Sequence, residues 1–412
     1  MARVLVVGCG GREHAIADKL YNEGHEIFMA GHNPGVASFG KCLDLSEKDL
    51  VEFCKNEKID LVAIGPEAYL VDGLVDILEK ENIRVFGPRK NAAILEESKA
   101  FAKDFMKKYK IPTADYQTFT DYEKALVYIE KSSFPIVIKA DGIAAGKGVL
   151  IVENLDQAKE ALKEVMVDKV FASAGSKVVI EEFLEGEEFS LLCFVSGEKM
   201  VPMKVAQDHK RAFDNDKGLN TGGMGAYLPV KGIGKADIDE AIEQIIKPTA
   251  AAMVKEGREF KGVLFAGLMK TKDGIKTIEY NVRFGDPETE VLLLSLKSNL
   301  YDIMNKVIDG DDFDIKWDDK SYIGVVLASK GYPENYDKNF EIRGLDKVNS
   351  KVFHMGTKSE NEKILTNGGR VLIVCAGGDS LEEARAKAYE DIEKIECDNL
   401  FYRKDIGHLS LK

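Results

Sequence analysis

The stretch VIKADGIAAGKGVLIV, Val137 to Val152, constrains the fold most: an apolar run, a glycine-rich turn carrying two lysines, and a second apolar run. It reads as strand, loop, strand. Gly142, Gly146 and Gly148 let backbone N–H groups approach phosphate oxygens, and Lys139 and Lys147 add point charges to the same anion. The pattern is not a P-loop. That motif has four residues between its glycines and a Ser or Thr after the lysine to hold magnesium, whereas here three residues intervene and Gly148 follows Lys147. The strand-like run Val149 to Val152 also leaves no helix N-terminus to face the phosphates. A nucleotide bound here is covered by a loop between strands, and its metal ligands must come from elsewhere in the chain.

At 412 residues the chain is too long for one ordinary core, and about two to four domains are expected. A net charge of −13 argues against a nucleic-acid or anionic-membrane partner, while leaving room for a local basic pocket that takes a small phosphorylated ligand. Six cysteines (Cys9, Cys42, Cys54, Cys193, Cys375 and Cys397) are scattered without CxxC or zinc-type Cys/His spacing, so reduced, mostly core thiols are expected. No apolar run approaches the roughly 18 residues of a membrane helix, and Val4 to Val7 is too short for a signal peptide. A cytoplasmic protein is expected.

The opening RVLVVGCGGREHAIADKLY predicts a buried strand, a turn at Gly8, Gly10 and Gly11, and an amphipathic helix, the first unit of a doubly wound sheet. Glu13 occupies the third position of the dinucleotide fingerprint, which disfavours NAD. Gly10 and Gly11 either contact a phosphorylated substrate or only allow strand and helix to pack closely. Further strands are expected at His25 to Met29, Leu61 to Ile64 and Arg84 to Phe86. GPEAYLVDG follows Leu61 to Ile64 and puts Glu67 at the binding edge, with Asp72 shaping a turn. Beyond Asn91 the pattern is helical, with Phe101, Phe105 and Tyr109 on the buried side and Lys99 and Lys103 four residues apart.

From about Gln117 to Ser190 two helices and a few strands surround the glycine loop, a size suited to a lid that closes over a ligand. In EEFLEGEEFS, Glu181, Glu182, Glu187 and Glu188 read as a solvated acidic turn or, at a hinge between lobes, as a backbone edge for adenine with a glutamate on the ribose. QDHKRAFDNDKGLNTGGMGAY has no clear periodicity and is expected to be a functional loop. His209 within it is weak evidence for catalysis. In GVLFAGLMKTKDGIKTIEYNVRFGDPETE, Lys272 to Gly274 signals a hairpin; Glu279 and Asn281 then share one strand face and Tyr280 turns away. A carboxylate and an amide oxygen suit magnesium completed by nucleotide phosphates, and Arg283 continues that face. The alternative is the solvent side of an antiparallel sheet. From about Ser321 a small α+β domain is expected.

Taken together, GCGGREHAIA, GPEAYLVDG, ESKAFAKDFM, VIKADGIAAGKGV, EEFLEGEEFS, QDHKR, NTGGMGAY, EYNVRFGDPETE and the closing FYRKDIGHLS resemble the phosphoribosylamine–glycine ligase family of ATP-grasp enzymes over nearly the whole chain. The resemblance implies an α/β multidomain protein: an N-terminal doubly wound, Rossmann-like (pre-ATP-grasp) domain over 1–102, an ATP-grasp core over 103–320 with a small mobile lid at about 117–190, and a C-terminal α+β domain over 321–412. It implies that Lys103, Lys139, Gly146, Lys147 and Gly148 contact ATP phosphates, that Glu181, Glu182, Phe183 and Leu184 bind adenine, and that Glu188 binds the ribose. Glu279 and Asn281 would hold Mg²⁺, with Mn²⁺ as the alternative ion. Arg283, Lys147 and Asp286 would be catalytic, and Gly10, Gly11, Glu67, Asp208, Lys210, Arg211, Asn220, Gly222 and Arg283 would meet the substrates. The reaction implied is ATP-dependent joining of glycine to 5-phosphoribosylamine through an acyl phosphate, by a monomer acting on small molecules. The main departure is that GLMKT offers no carboxylate on the strand before ExN; smaller ones are Tyr69 where proline is usual, Leu228 after GAY where Ser or Thr is frequent, and Glu290 where glutamine is common. Another ATP-grasp carboxylate–amine ligase, an NAD-dependent oxidoreductase and a non-catalytic nucleotide-binding regulator are the competing readings. The oxidoreductase leaves the lysine loop and the ExN face idle, and the regulator has no use for Arg283.

Overall fold

A computed structural model describes residues 1–142, 148–168 and 176–411. Val4 to Val7 are wholly buried because both faces of their sheet are covered, as a parallel sheet requires. That sheet has five parallel strands in the order Lys41–Leu43, Glu26–Ala30, Arg3–Val7, Leu61–Ile64, Val85–Phe86. The chain reverses its direction of winding between Arg3–Val7 and Leu61–Ile64, so the crevice lies at their carboxyl ends. The glycine turn leads into the helix Gly11–Asn22 there. GPEAYLVDG is a short helix and not a turn: Glu67–Asp72 starts after Pro66 and stops at Gly73, whose φ of 94° suits a left-handed cap. Glu67 therefore opens a helix facing the crevice, and Asp72 is its last residue.

The helical region after Val85–Phe86 is broken at Ser98. Its hydroxyl accepts from the Phe101 amide at 3.0 Å and starts a second helix, Lys99–Tyr109. The lid follows as a four-stranded antiparallel sheet, ordered Tyr116–Phe119, Val178–Glu182, Ile136–Ala140, Val149–Val152. Helices Tyr122–Ile129 and Leu155–Leu162 pack on it through Ala125, Ile129, Ile138, Ala158, Leu162 and Ile180, a core separate from the others. A lobe with its own core can move as a body. Gly146 and Lys147 lie outside the described residues.

The sheet beneath the lid has the order Lys199–Pro202, Glu187–Ser196, Lys261–Thr271, Gly274–Asn281. The last two strands form the expected hairpin, with a register shift after Gly267, which pairs with Glu279. The polar stretch at 207–228 is not an irregular loop. It contains the hairpin Arg211–Phe213 with Lys217–Asn220, and its ends Gln207–Asp208 and Gly225–Leu228 pair with each other. Its lack of periodicity comes from strands of only two to four residues. Gly225–Leu228 then pairs with Ser321–Ser329, so the C-terminal sheet takes in strands from the preceding domain and does not merely pack on it. Helix Leu381–Ile392 covers that sheet through Leu381, Ala384, Ala388 and Ile392. All six cysteines are free; Cys54, Cys193 and Cys375 are buried, whereas Cys9 is exposed. Among the described residues no helix is long and apolar enough to cross a membrane.

Candidate active site

Where the three parts meet, one cavity of about 1000 Å³ runs from the lid to the crevice of the first sheet. At its lid end, Lys139 near the end of its strand and Lys103 one turn into its helix are both buried. Lys103 Nζ lies 2.8 Å from Glu181 Oε2 and Lys139 Nζ 2.9 Å from Oε1. Lys139 also donates to the Ile278 carbonyl at 3.1 Å, and Lys103 to Thr113 Oγ1 at 2.8 Å. Two ammonium groups share one carboxylate, which leaves this end positive. Burial lowers the Lys103 pKa to about 8, against the pull of Glu181.

The Glu181 side chain is thus the counterion of both lysines, a part that an adenine contact through its backbone does not require. Glu182, Phe183 and Leu184 line the cavity beyond it. Val137, Ile151, Met269 and Ile278 add apolar surface to the lining. Gly148 lines the same wall. The root of the glycine loop is fastened to the start of the Lys99–Tyr109 helix: Asp141 accepts from Ser98 Oγ at 3.1 Å and from the Ala100 amide at 3.0 Å, and Lys99 Nζ donates to the Gly142 carbonyl at 2.8 Å. Asp141 sits where helix N–H groups favour an anion.

In the middle, Glu279 and Asn281 face the cavity, while the Tyr280 hydroxyl is 2.6 Å from Thr249 Oγ1 on the other side. Burial opposes the charge on Glu279, but Lys210, Lys139, Lys99 and Arg283 hold its pKa below the usual carboxylate range. Lys210 pairs with Glu188. Burial works against its charge too, yet Glu188, Asp208 and Glu279 raise its pKa well above that of a free lysine. Burial raises Asp208 and Glu288. Carboxylate and amide oxygens at Glu279 and Asn281 fit a hard cation such as magnesium. Among the described residues no group of three or more His, Cys, Asp or Glu is arranged to hold a metal ion.

At the far end Arg283 Nε is 3.3 Å from Glu67, and its Nη2 is 3.1 Å from both Glu96 and Asn281 Oδ1. Arg12 donates to the Phe284 carbonyl at 3.1 Å. Arg370 reaches in from the C-terminal sheet and donates to the carbonyls of Gly222 at 2.7 Å and Asp286 at 2.9 Å, with its Nη1 also 2.9 Å from the Asp286 carboxylate. Gly223, at φ 112°, has no room for a side chain, since a Cβ would come within 2.4 Å of Pro287, and a Cβ on Gly222 would press to 3.1 Å on the Arg370 guanidinium. This explains the paired glycines of NTGGMG.

Glu67, Asp208, Lys210, Arg211, Asn220, Gly222, Arg283 and Asp286 all line the cavity; Gly10 and Gly11 do not. A Cβ on Gly11 would meet Glu290 and Met355, so its smallness serves close packing there. Glu13 folds back over the turn and accepts from the Gly10 amide at 2.7 Å, setting a carboxylate where a dinucleotide pyrophosphate would lie. Arg12, Glu96, Glu288 and Arg370 are among the cavity-lining residues the sequence did not single out. Arg12 had a signal in its place beside the glycine turn, while Arg370 begins an ordinary strand.

The chain matches three family models: phosphoribosylglycinamide synthetase N domain over residues 2–96, its ATP-grasp (A) domain over 97–289, and its C domain over 322–409. The chain belongs to the phosphoribosylglycinamide synthetase family. It is an ATP-dependent ligase of purine biosynthesis. The ligase is 49% identical to phosphoribosylamine–glycine ligase of Halalkalibacterium halodurans, covering 98% of this chain and 96% of that protein. It is 48% identical to the Clostridium acetobutylicum protein of the same name, covering 98% and 99%. The crystal structure of phosphoribosylamine–glycine ligase from Thermotoga maritima superposes with a TM-score of 0.87 at 35% identity, over 98% of this chain and 99% of that one. A biotin carboxylase–β,γ-ATP complex from Campylobacter jejuni, with a TM-score of 0.75 at 15% identity over 100% and 94% of the two chains, shares the fold. All three matched segments of the ligase reach the cavity: Arg12, Glu67 and Glu96 from the first, the lysines and ExN strand from the second, Arg370 from the third.

Proposed function

We propose that the cavity joins glycine to 5-phosphoribosylamine through a glycyl phosphate, with release of ADP and phosphate. The observation that carries this reading is the continuity of the cavity from Lys103 and Lys139, past Glu279 and Asn281, to Arg283. Lys103 and Lys139 neutralise the ATP phosphates, and Lys147 joins them from the glycine loop. Glu182, Phe183 and Leu184 border the adenine, and Glu188 takes the ribose once Lys210 turns from it. Glu279 and Asn281 would hold Mg²⁺, which supplies charge neutralisation on the transferring phosphoryl group when bound.

The glycine carboxylate attacks the terminal phosphoryl group of ATP and ADP leaves. The substrate amine then attacks the acyl carbon, expelling phosphate as the amide forms. Arg283 stabilises the acyl phosphate, a reading supported by the way Glu67 and Glu96 fix its guanidinium. The lid keeps water from the acyl phosphate. Asp286, held by Arg370, and the segment bearing Asp208, Lys210, Arg211, Asn220 and Gly222 face the two small substrates. The test is ADP release by the purified chain with ATP, Mg²⁺, glycine and freshly made phosphoribosylamine. Full turnover is expected only when both co-substrates are present; equal ADP release without either one overturns the reading.

A further inference from the structure

The closing FYRKDIGHLS motif does not contribute a reacting group, yet it is bound residue by residue to the segment that carries Asp208 and Lys210. Arg403, almost fully buried, donates to the Arg211 carbonyl at 3.0 Å, lies 2.9 Å from Asp216, and forms a two-pronged pair with Asp405 at 2.8 and 2.9 Å. The Lys404 amide donates to Asp214 at 2.7 Å, and Asp405 accepts from the Asn215 amide at 2.8 Å. Asn215 and Asp216 have φ of 58° and 53°, a left-handed turn that these contacts hold in place. Last, the Gly407 amide donates to His209 Nε2 at 2.9 Å.

That final bond defines the histidine. Because Nε2 accepts, the imidazole proton sits on Nδ1, which faces Asp216 at 3.8 Å. The ring is nearly buried and lies 5.3 Å from the His408 ring. Nε2 is thus taken by the clasp while Nδ1 faces Asp216 of the same segment, and alternation along the extended chain turns the neighbours Asp208 and Lys210 towards Glu188 and Glu279.

We propose that residues 403–407 are a clasp that holds segment 208–221 in register through His209, which makes His209 a positioning residue and not a proton-transfer group. The value of the clasp to catalysis rests on the site assignment of Lys210, and the test separates the two. Hydrogen–deuterium exchange of the full chain is compared for wild type, His209→Phe, which keeps the ring shape but loses the acceptor, and His209→Gln, which restores one. In His209→Phe, exchange is expected to rise together in peptides covering 208–221 and 403–407, and kcat/KM to fall by about ten- to a hundredfold, the scale of a slight misplacement. His209→Gln is expected to recover most of both, with the wild-type pH profile. Combining His209→Phe with Lys210→Met is expected to cost less than the two single losses multiplied together, since part of what the clasp does passes through that residue.

Exchange that stays at the wild-type level in His209→Phe overturns the clasp. So does a His209→Gln variant as inactive as His209→Phe that has lost a limb of the pH profile. A Lys210→Met variant with normal kinetics overturns the site assignment of Lys210 instead, and coupled exchange in the two peptides then still supports the clasp.

Discussion

The two ends of the cavity handle charge in opposite ways. At the lid end Lys103 and Lys139 share the single carboxylate of Glu181, so positive charge is left over. At the crevice end Arg12, Arg283 and Arg370 are matched by Glu13, Glu67, Glu96 and Asp286, and each guanidinium also has a carbonyl or amide partner. The first end is complete only with a polyanion in place. The second is already paired and rigid, so it discriminates by the geometry of its forks and carbonyls. Affinity for nucleotide and precision at the reacting groups are therefore separable, and substitutions at the two ends should fail differently.

The largest effect is expected for Lys139→Met. Removing the fixed charge leaves Glu181 paired with Lys103, so the fold should persist, while kcat/KM for ATP falls on the order of a thousandfold, as for loss of a preorganised transition-state contact. Steady-state kinetics at varied ATP, with circular dichroism as the fold control, measures it. Next comes Arg283→Lys, which keeps a charge but loses the fork to Glu67, Glu96 and Asn281. Here kcat is expected to drop about a hundredfold with KM for ATP nearly unchanged, since the proposed contact is to the reacting group. An ATP KM that rises in Arg283→Lys as much as in Lys139→Met would break the distinction between the ends.

A finer probe is Glu181→Gln. Burial already brings the Lys103 pKa down to about 8, and Glu181 is the main group resisting the fall. Without it the pKa drops further, so Lys103 loses its proton at lower pH. Nucleotide affinity should be within about tenfold of wild type near pH 6.5 and weaken increasingly above it, an alkaline limb displaced to lower pH. Titration with a fluorescent ATP analogue from pH 6 to 9 reads this directly. An unmoved limb would mean that Lys103 does not contact the nucleotide.

What the sequence discloses of the cavity follows the same division. The lid end is built from contiguous stretches, so local spacing points to Lys139 and to the Glu279/Asn281 face, whereas Glu181 to Leu184 read equally as a solvated acidic turn and take a role only from the family resemblance. The period-two logic of one strand suffices for Glu279, Tyr280 and Asn281. The crevice end is assembled by topology from segments 84 to 272 residues apart, and nothing near Arg370 distinguishes it from any arginine that starts a strand. Glu181 shows a subtler gap: its position was legible, but its partner Lys103 sits on a helix 78 residues earlier in the chain, so its role as counterion appears only when the lid is folded against that helix. The 207–228 stretch fails for another reason. Strands of two to four residues that pair with distant segments carry too little periodicity to be seen.

The smallest expected effect on activity belongs to Glu290→Gln, yet it probes how fully paired the crevice end is. Glu290 is wholly buried on helix Glu288–Ser295, both carboxyl oxygens lack a hydrogen-bond partner, and one lies 2.6 Å from where a Cβ on Gly11 would be. Burial, then the nearby charges of Asp286 and Glu288, push its pKa well above the ordinary value, with Arg370 pulling the other way. A carboxyl raised in the fold is protonated there but ionises in the unfolded chain above about pH 4.3, so it makes the fold lose stability as pH rises from that point towards its folded pKa. Glutamine keeps the shape and removes the proton linkage. The variant should therefore match wild type in melting temperature near pH 4.5 and exceed it by a margin that widens towards pH 7.5, with turnover little changed. A gap that shrinks with rising pH would mean that Glu290 is ionised in the fold and partnered by Arg370, which would extend the paired network of the crevice end by one more carboxylate.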